Sequence, residues 1–138
     1  MKIKKLSLSI LVAFLTIGSI NAQILPKTSP KGSVNQIVGA TSIDLEYHRP
    51  SVRGRQVFGG LLKFGEVWRL GANGCTKITT TDSLFFGENA LAPGTYSMFA
   101  IPNADSTFTI AFNTDFKQSG TSNYDSKKDV FRLRLQKK

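Results

Sequence analysis

Apolar and polar residues alternate along several short stretches of the chain, most clearly in Ser42–His48. There Ile43, Leu45 and Tyr47 alternate with polar residues. A two-residue period is typical of a strand that buries one face. The pattern predicts a strand with one face in the core and the other in water.

Further stretches after this strand have strand-like patterns and are separated by turn residues. In the last of them, Arg132 and Arg134 lie between apolar positions, so an arginine face should point to solvent or to a ligand. The predicted strands are Thr76–Thr81, Ser83–Phe86, Tyr96–Ile101, Thr107–Phe112 and Val130–Leu135. Many short strands with close turns favour an all-β fold, an antiparallel β-sandwich, with a partly open barrel as the alternative.

The first 22 residues follow a different pattern. Three lysines precede an apolar run from Leu6 to Ile17, and small residues lead to Ala22. This order is typical of a secretory signal peptide, and a run of about a dozen residues is shorter than the roughly 20 that span a bilayer. We expect a signal peptide at 1–22 with cleavage near Ala22, a single β domain at 23–138 without a transmembrane segment, and a periplasmic or extracellular location.

Charge and cysteine content narrow the possible partners. Loss of the three signal-peptide lysines lowers the formal net charge from +9 to +6. A basic protein can bind nucleic acid, an anionic surface or a small acidic ligand, and export argues against nucleic acid. The only cysteine is Cys75, so no intramolecular disulfide forms; we expect this residue to be buried in the core.

A long connection between the predicted strands, residues 49–74, concentrates arginines among glycines and aromatics. Long ordered connections often carry function. Guanidinium groups bind carboxylate, sulfate or phosphate, and an exposed Trp can stack on a sugar or an aromatic ligand. The predicted ligand-binding residues are Arg49, Arg53, Arg55, Trp68, Arg69 and Asn73.

A purely structural role is the alternative for these residues. Arg49 and Arg69 could pair with carboxylates and hold the connection on the sheet, and Trp68 could belong to the core. The carboxylates available for such pairs are Asp44, Glu46, Glu66 and Asp125.

His48 is the only histidine, so the sequence predicts neither a multi-histidine metal site nor a cofactor. His48 is also the one weak candidate for a catalytic acid or base. Ser51 or Cys75 could serve as a nucleophile, but their spacing matches no known arrangement. Simple exposure on the polar face of its strand is the alternative for His48, and enzyme signature motifs are absent from the sequence.

Several motifs resemble one bacterial family, known only as domain of unknown function 2911. They are Tyr47-His48-Arg49-Pro50, Arg53-Gly54-Arg55, Phe58-Gly59-Gly60-Leu61, Val67-Trp68-Arg69-Leu70-Gly71-Ala72-Asn73, Leu91-Ala92-Pro93-Gly94-Thr95-Tyr96 and Asn123-Tyr124-Asp125. The resemblance covers roughly residues 25–135. It implies a secreted or periplasmic all-β protein of Gram-negative bacteria and supplies no established activity.

Members of this family continue past the equivalent of Leu135 with further strands. We therefore expect a shortened member or a fragment, whose last predicted strand, Val130–Leu135, lies at an unpaired edge.

Three hypotheses about function follow. The first is an exported, non-catalytic binding module for a small anionic or carbohydrate ligand or for a partner protein. The second is a periplasmic hydrolase of envelope or polysaccharide material that uses His48. The third is a structural or assembly protein of the envelope, in which the last strand pairs with another chain.

Overall fold

A computed structural model describes residues 28–135. The strands are β1 (Lys31–Val38), β2 (Thr41–His48), β3 (Thr76–Thr80), β4 (Leu84–Phe86), β5 (Asn89–Leu91), β6 (Gly94–Pro102), β7 (Phe108–Asn113) and β8 (Asp129–Leu135), with a 3-10 turn at Ser126–Lys128. One antiparallel sheet has the order β1, β2, β3, β6, β7, β8, and β4 pairs with β5 in a second, two-stranded sheet. The predicted all-β antiparallel class is confirmed, and in this part of the chain the larger sheet does not close into a barrel.

The strands predicted from alternation pair in regular register. Leu45 of β2 lies opposite Ile78 of β3, and Ile78 lies opposite Tyr96 of β6. The predicted strands Tyr96–Ile101 and Thr107–Phe112 lie in β6 and β7, which form a hairpin with pairs that run from Ser97–Asn113 to Pro102–Phe108. Because alternate side chains point to opposite faces, these registers place two separate apolar clusters on the two faces of one sheet.

The first cluster lies under the small sheet. Ile78, Leu91 and Phe112 are buried there. Phe86 of β4 places its ring centroid 5.0 Å from that of Phe112 and 5.9 Å from that of Phe131. The hairpin of β4 and β5 is thus the second layer of the sandwich, and aromatic packing holds it on the sheet.

The second cluster lies on the opposite face. Cys75, Phe99 and Ala111 are buried, and Tyr124 packs its ring 4.8 Å from that of Phe99. The segment that follows β7 therefore covers this face, so that the centre of the sheet is buried on both sides. The expected burial of Cys75 is confirmed.

Two strands were not predicted. β1 is exposed along nearly all of its length, so neither of its faces imposes an alternating pattern on the sequence. It forms because all eight of its residues pair with β2. The short strand β5, of only three residues, was also missed. Among residues 28–135, β1 and β8 are the two edges of the sheet, so the last strand lies at an edge in this part of the chain.

The predicted signal peptide at 1–22 lies outside the described residues. Within residues 28–135, no helix has the length and apolar character that crossing a membrane requires. The assignment of residues 23–138 to a single domain stays a prediction.

Candidate ligand-binding site

The long connection enters the sheet beside β6. β3 pairs with β6 only as far as Thr76 opposite Met98. Beyond that point the Trp68 amide donates to the Ala100 carbonyl at 2.7 Å, and the Ala100 amide donates to the Trp68 carbonyl at 2.8 Å. The backbone of the sheet thus fixes the position of Trp68, which is half-buried.

Before Trp68, residues 56–62 form a tight turn that bonds mainly to itself. The Leu62 amide donates to the Val57 carbonyl, and the Gly59 amide donates to the Leu62 carbonyl, both at 2.8 Å. At Gly60 a Cβ atom would lie 2.5 Å from the Gln56 carbonyl oxygen, so only glycine fits there. We call residues 56–62 the glycine turn.

Phe58 anchors the glycine turn to the rest of the protein. Its ring centroid lies 5.4 Å from that of Phe108 in β7 and 6.4 Å from that of Trp68, both edge to face. Edge-to-face pairs of this kind stabilise beyond the area they bury. Even so, Phe58 stays 44% exposed, because its other side faces a cavity.

This cavity has a volume of about 590 Å³ and lies between the glycine turn, residues 48–55 and residues 68–72. A volume of this size is ordinary for a small-molecule site. Its apolar wall is formed by Val57, Phe58, Leu61, Leu62, Trp68 and Leu70. Its polar side chains are Thr28, Ser29, His48, Ser51, Arg53 and Arg55.

Arg53 and Arg55 belong to a turn that Arg55 itself braces. Arg55 Nε donates to the Val52 carbonyl at 3.0 Å, and Arg55 Nη2 donates to the Ser51 carbonyl at 2.8 Å. These bonds use two of the five N–H donors of the guanidinium and leave its charge unbalanced. Arg53 has φ 53°, a left-handed value that is uncommon for arginine.

His48 lies at the end of β2, where the connection begins. Its Nδ1 atom is buried and has no hydrogen-bond partner in the described part of the chain. A Cβ atom at Gly71 would lie 2.7 Å from the His48 carbonyl oxygen, so glycine lets residues 70–72 pack directly on this strand end. His48 is half-buried, unlike the simple exposure that we offered as the alternative.

The ion pairs that could have pinned the connection are not formed. Glu46 instead pairs with Lys31 at 2.6 Å and Lys77 at 3.7 Å, and the bond from Lys31 lowers the pKa of this carboxyl. Glu66 pairs with Lys63 at 3.8 Å. No arginine of the connection has a carboxylate within 4.0 Å among residues 28–135. The cavity therefore keeps the positive charge of Arg53 and Arg55.

Three of the six predicted ligand-binding residues lie outside this cavity. Arg49 is exposed, and its amide donates to the Pro30 carbonyl at 3.0 Å. Arg69 lines a smaller cavity of about 180 Å³, where its Nε is buried without a partner in the described chain. Asn73 has φ 58°, and its carbonyl accepts from Ser119 Oγ at 3.1 Å. Only Arg53, Arg55 and Trp68 come together, joined by His48.

The apolar wall is the part of the site that sequence reasoning missed. Leu61 and Leu62 were not among the predicted site residues, and Leu61 is 56% exposed. Leu70 has φ 52°, a left-handed value that its residue type does not predict. The glycine pair Gly59-Gly60 was the one available signal, because adjacent glycines indicate a tight turn that can present its neighbours to a cavity.

Metal or thiol chemistry finds little support here. Within residues 28–135, no three His, Cys, Asp or Glu side chains cluster closely enough to hold a metal ion. Burial raises the pKa of the Cys75 thiol, which donates to the Phe116 carbonyl at 3.6 Å. The reactive thiolate is thereby disfavoured.

Fold and site together define an antiparallel β protein with a positively charged and largely apolar cavity in one long connection. Residues 29–138 match the family described as "Protein of unknown function (DUF2911)", and the chain belongs to this family. The resemblance drawn from the sequence motifs is confirmed. No match was found among the curated proteins or among the solved structures.

Proposed function

We propose that this protein is an exported, non-catalytic binding module that holds a small anionic ligand in the cavity of the long connection. One observation supports this above the others: Arg53 and Arg55 line a cavity that has no Asp or Glu among its described lining residues. Both arginines are exposed, so a ligand can reach their guanidinium groups from solvent. A ligand that brings its own negative charge matches these unpaired cations.

The same lining favours an anion over a carbohydrate. Sugar hydroxyls both donate and accept, so a sugar site needs strong acceptors as well as donors. Arginine only donates, and the described lining has neither carboxylates nor the amides of Asn and Gln. A carboxylate, sulfate or phosphate group only accepts and so matches two arginines.

The hydrolase and assembly hypotheses have less support. A histidine that acts as acid or base is normally oriented by a carboxylate, yet His48 Nδ1 has no partner in residues 28–135. Assembly through β8 requires a free strand edge, and among residues 28–135 β8 lies at one. Its arginines Arg132 and Arg134 are already paired with Asp129 and Asp105 of the same chain, so they call for no partner chain.

Ligand binding can be read from Trp68, the only tryptophan in the chain. We expect phosphate, sulfate or organic carboxylates to change its fluorescence and raise the unfolding temperature, and neutral sugars to do neither. Arg53→Ala should weaken binding of the anion at least about tenfold, the loss expected for one charge-assisted bond. Arg49→Ala is the matched control, because Arg49 lies outside the cavity.

Two results would refute the anion site. One is binding of neutral sugars as tight as that of anions. The other is anion binding that survives Arg53→Ala as well as it survives Arg49→Ala.

Export is tested separately by expressing the full chain in a Gram-negative host. The protein in the periplasmic fraction should have a mass that corresponds to cleavage near Ala22. Full-length protein confined to the cytoplasm would contradict the export part of the proposal.

A further inference from the structure

We infer that the ligand of this cavity is an amphiphilic anion, with one acidic head group and an apolar body. The inference rests on the proposed anion site and adds the chemistry of the rest of the ligand. It comes from the distribution of side chains around the cavity, in which the arginines come from one segment and most of the large apolar side chains come from two others.

The basic side chains of the cavity all come from one short segment. His48, Arg53 and Arg55 lie at the end of β2 and in the turn that follows it. Arg55 spends two of its five N–H donors on Ser51 and Val52, so Arg53 and Arg55 together keep eight for an anion. One acidic head group can accept from both guanidinium groups at once.

The apolar wall comes from the glycine turn and from residues 68–70. Phe58 and Leu61 in this wall are 44% and 56% exposed, and Val52, which also borders the cavity, is 56% exposed. Large apolar side chains that remain exposed together mark a surface that another molecule covers. A hydrophilic anion would leave this wall in contact with water.

The size of the cavity also favours a ligand with an apolar body. An inorganic anion has few heavy atoms and occupies a small part of about 590 Å³. Sites of this volume take ligands of drug-like size and bury most of their surface against apolar side chains. A chain of several methylenes or a flat ring system fills the space beside Phe58, Leu61 and Trp68.

The test compares probes that contain the head, the body or both. Acetate supplies the head, 1-octanol supplies the body, and octanoate supplies both; sulfate is a hydrophilic anion. Each is titrated into the purified protein while Trp68 fluorescence is recorded. Burial of each methylene is worth about a fourfold gain in affinity, so octanoate should bind at least about 100-fold more tightly than acetate. It should also bind at least about tenfold more tightly than octanol.

Two variants assign the effect to the two walls. Leu61→Ser should weaken octanoate about tenfold and leave acetate unchanged, whereas Arg53→Ala should weaken both carboxylates. Leu61 is already more than half exposed, so the fold should tolerate serine; a thermal unfolding curve checks this. Leu135→Ser is the matched control, since Leu135 is 51% exposed on β8 and outside the cavity.

The outcomes separate the two proposals. If sulfate or acetate binds as tightly as octanoate, the anion site stands and the amphiphile is wrong. If octanol binds as tightly as octanoate and Arg53→Ala changes neither, the anion site and the amphiphile are both wrong. The absence of any response to all four probes also overturns both.

Discussion

Two arginine-rich regions of this molecule differ in whether their arginines have carboxylate partners. On β8, Arg132 Nε donates to Asp129 Oδ2 at 2.8 Å, and Arg134 pairs with Asp105. In the long connection, Arg53 and Arg55 face a cavity and have no carboxylate partner among residues 28–135. The same residue type is thus neutralised within the chain in one region and left available in the other.

Asp129 is the centre of the neutralised region. Its side chain is 7% exposed and accepts from Asn113 Nδ2 at 2.8 Å and from the Tyr124 hydroxyl at 2.5 Å, as well as from Arg132. Tyr124 in turn packs on Phe99. A fully satisfied polar network of this kind fixes the covering segment on the sheet. The cavity, which lacks such a network, is the better candidate for recognition.

The largest effect should come from breaking the network. Asp129→Ala removes one buried carboxylate and takes an acceptor from Asn113, Tyr124 and Arg132. Asn113 keeps its bond to the Asp125 carbonyl, and Arg132 is 41% exposed to water. We therefore expect the free energy of unfolding in urea to fall by about 2–3 kcal/mol. Arg53→Ala, made in the other region, should change it by less than about 0.5 kcal/mol. If the free energy of unfolding falls by similar amounts in the two variants, the two regions do not differ in their contribution to stability.

A smaller effect should come from releasing the glycine turn. Phe58→Ala removes both edge-to-face contacts of a residue that is only partly buried, so we expect a loss of about 1–2 kcal/mol. Because Phe58 covers one side of Trp68, the tryptophan emission should also shift to longer wavelength. Phe85→Ala is the control, since Phe85 is 73% exposed on β4. Unchanged emission in Phe58→Ala would show that the turn has another anchor.

The network should also make the stability depend on alkaline pH. Burial and the neighbouring Asp129 raise the pKa of Tyr124 from 10.0 to about 12. Between these values the folded protein keeps a proton that the unfolded chain has lost, so the free energy of unfolding falls as the pH rises through this window. After allowance for the partial exposure of Tyr124, we expect the free energy of unfolding to fall by about 1 kcal/mol across this window.

Tyr124→Phe isolates this contribution. Lysines also titrate near pH 10, but they do so in both proteins, so the difference in slope belongs to Tyr124. If the free energy of unfolding falls with the same slope in Tyr124→Phe and in the wild type between pH 9 and 11, the expectation is wrong.

The sequence predicts those strands whose burial produces a periodic pattern of apolar residues, and it does not predict strands that form by backbone pairing alone. β2 and β8 each pack one apolar face against the core, in β2 through Ile43 and Leu45, so alternation predicted them to within one residue at each end. The opposite face of β2 is half-buried and not in water as predicted. β1 buries neither face; its pairing with β2 leaves no periodic trace, and it was missed.

The site shows the same limit. Composition singled out the long connection, but which arginines converge depends on backbone angles that the residue types do not reveal. Arg53 and Leu70 both adopt positive φ, where glycine or asparagine is the usual choice. Arg69, two residues before Gly71, therefore ends at a different cavity from Arg53 and Arg55.

The left-handed conformation of Arg53 gives the smallest expected effect on stability. Glycine adopts φ 53° without steric cost, so the strain that Arg53→Gly relieves should offset the extra flexibility that glycine gives the unfolded chain. We expect the free energy of unfolding to stay within about 0.5 kcal/mol of the wild-type value. Arg49→Gly is the matched control: Arg49 is not in the left-handed region, so it should lose about 0.5–1 kcal/mol. If Arg53→Gly abolishes anion binding and leaves the free energy of unfolding unchanged, Arg53 occupies its strained position for the ligand and not for the fold. If Arg53→Gly instead destabilises the protein as much as Arg49→Gly does, the arginine side chain contributes to the fold.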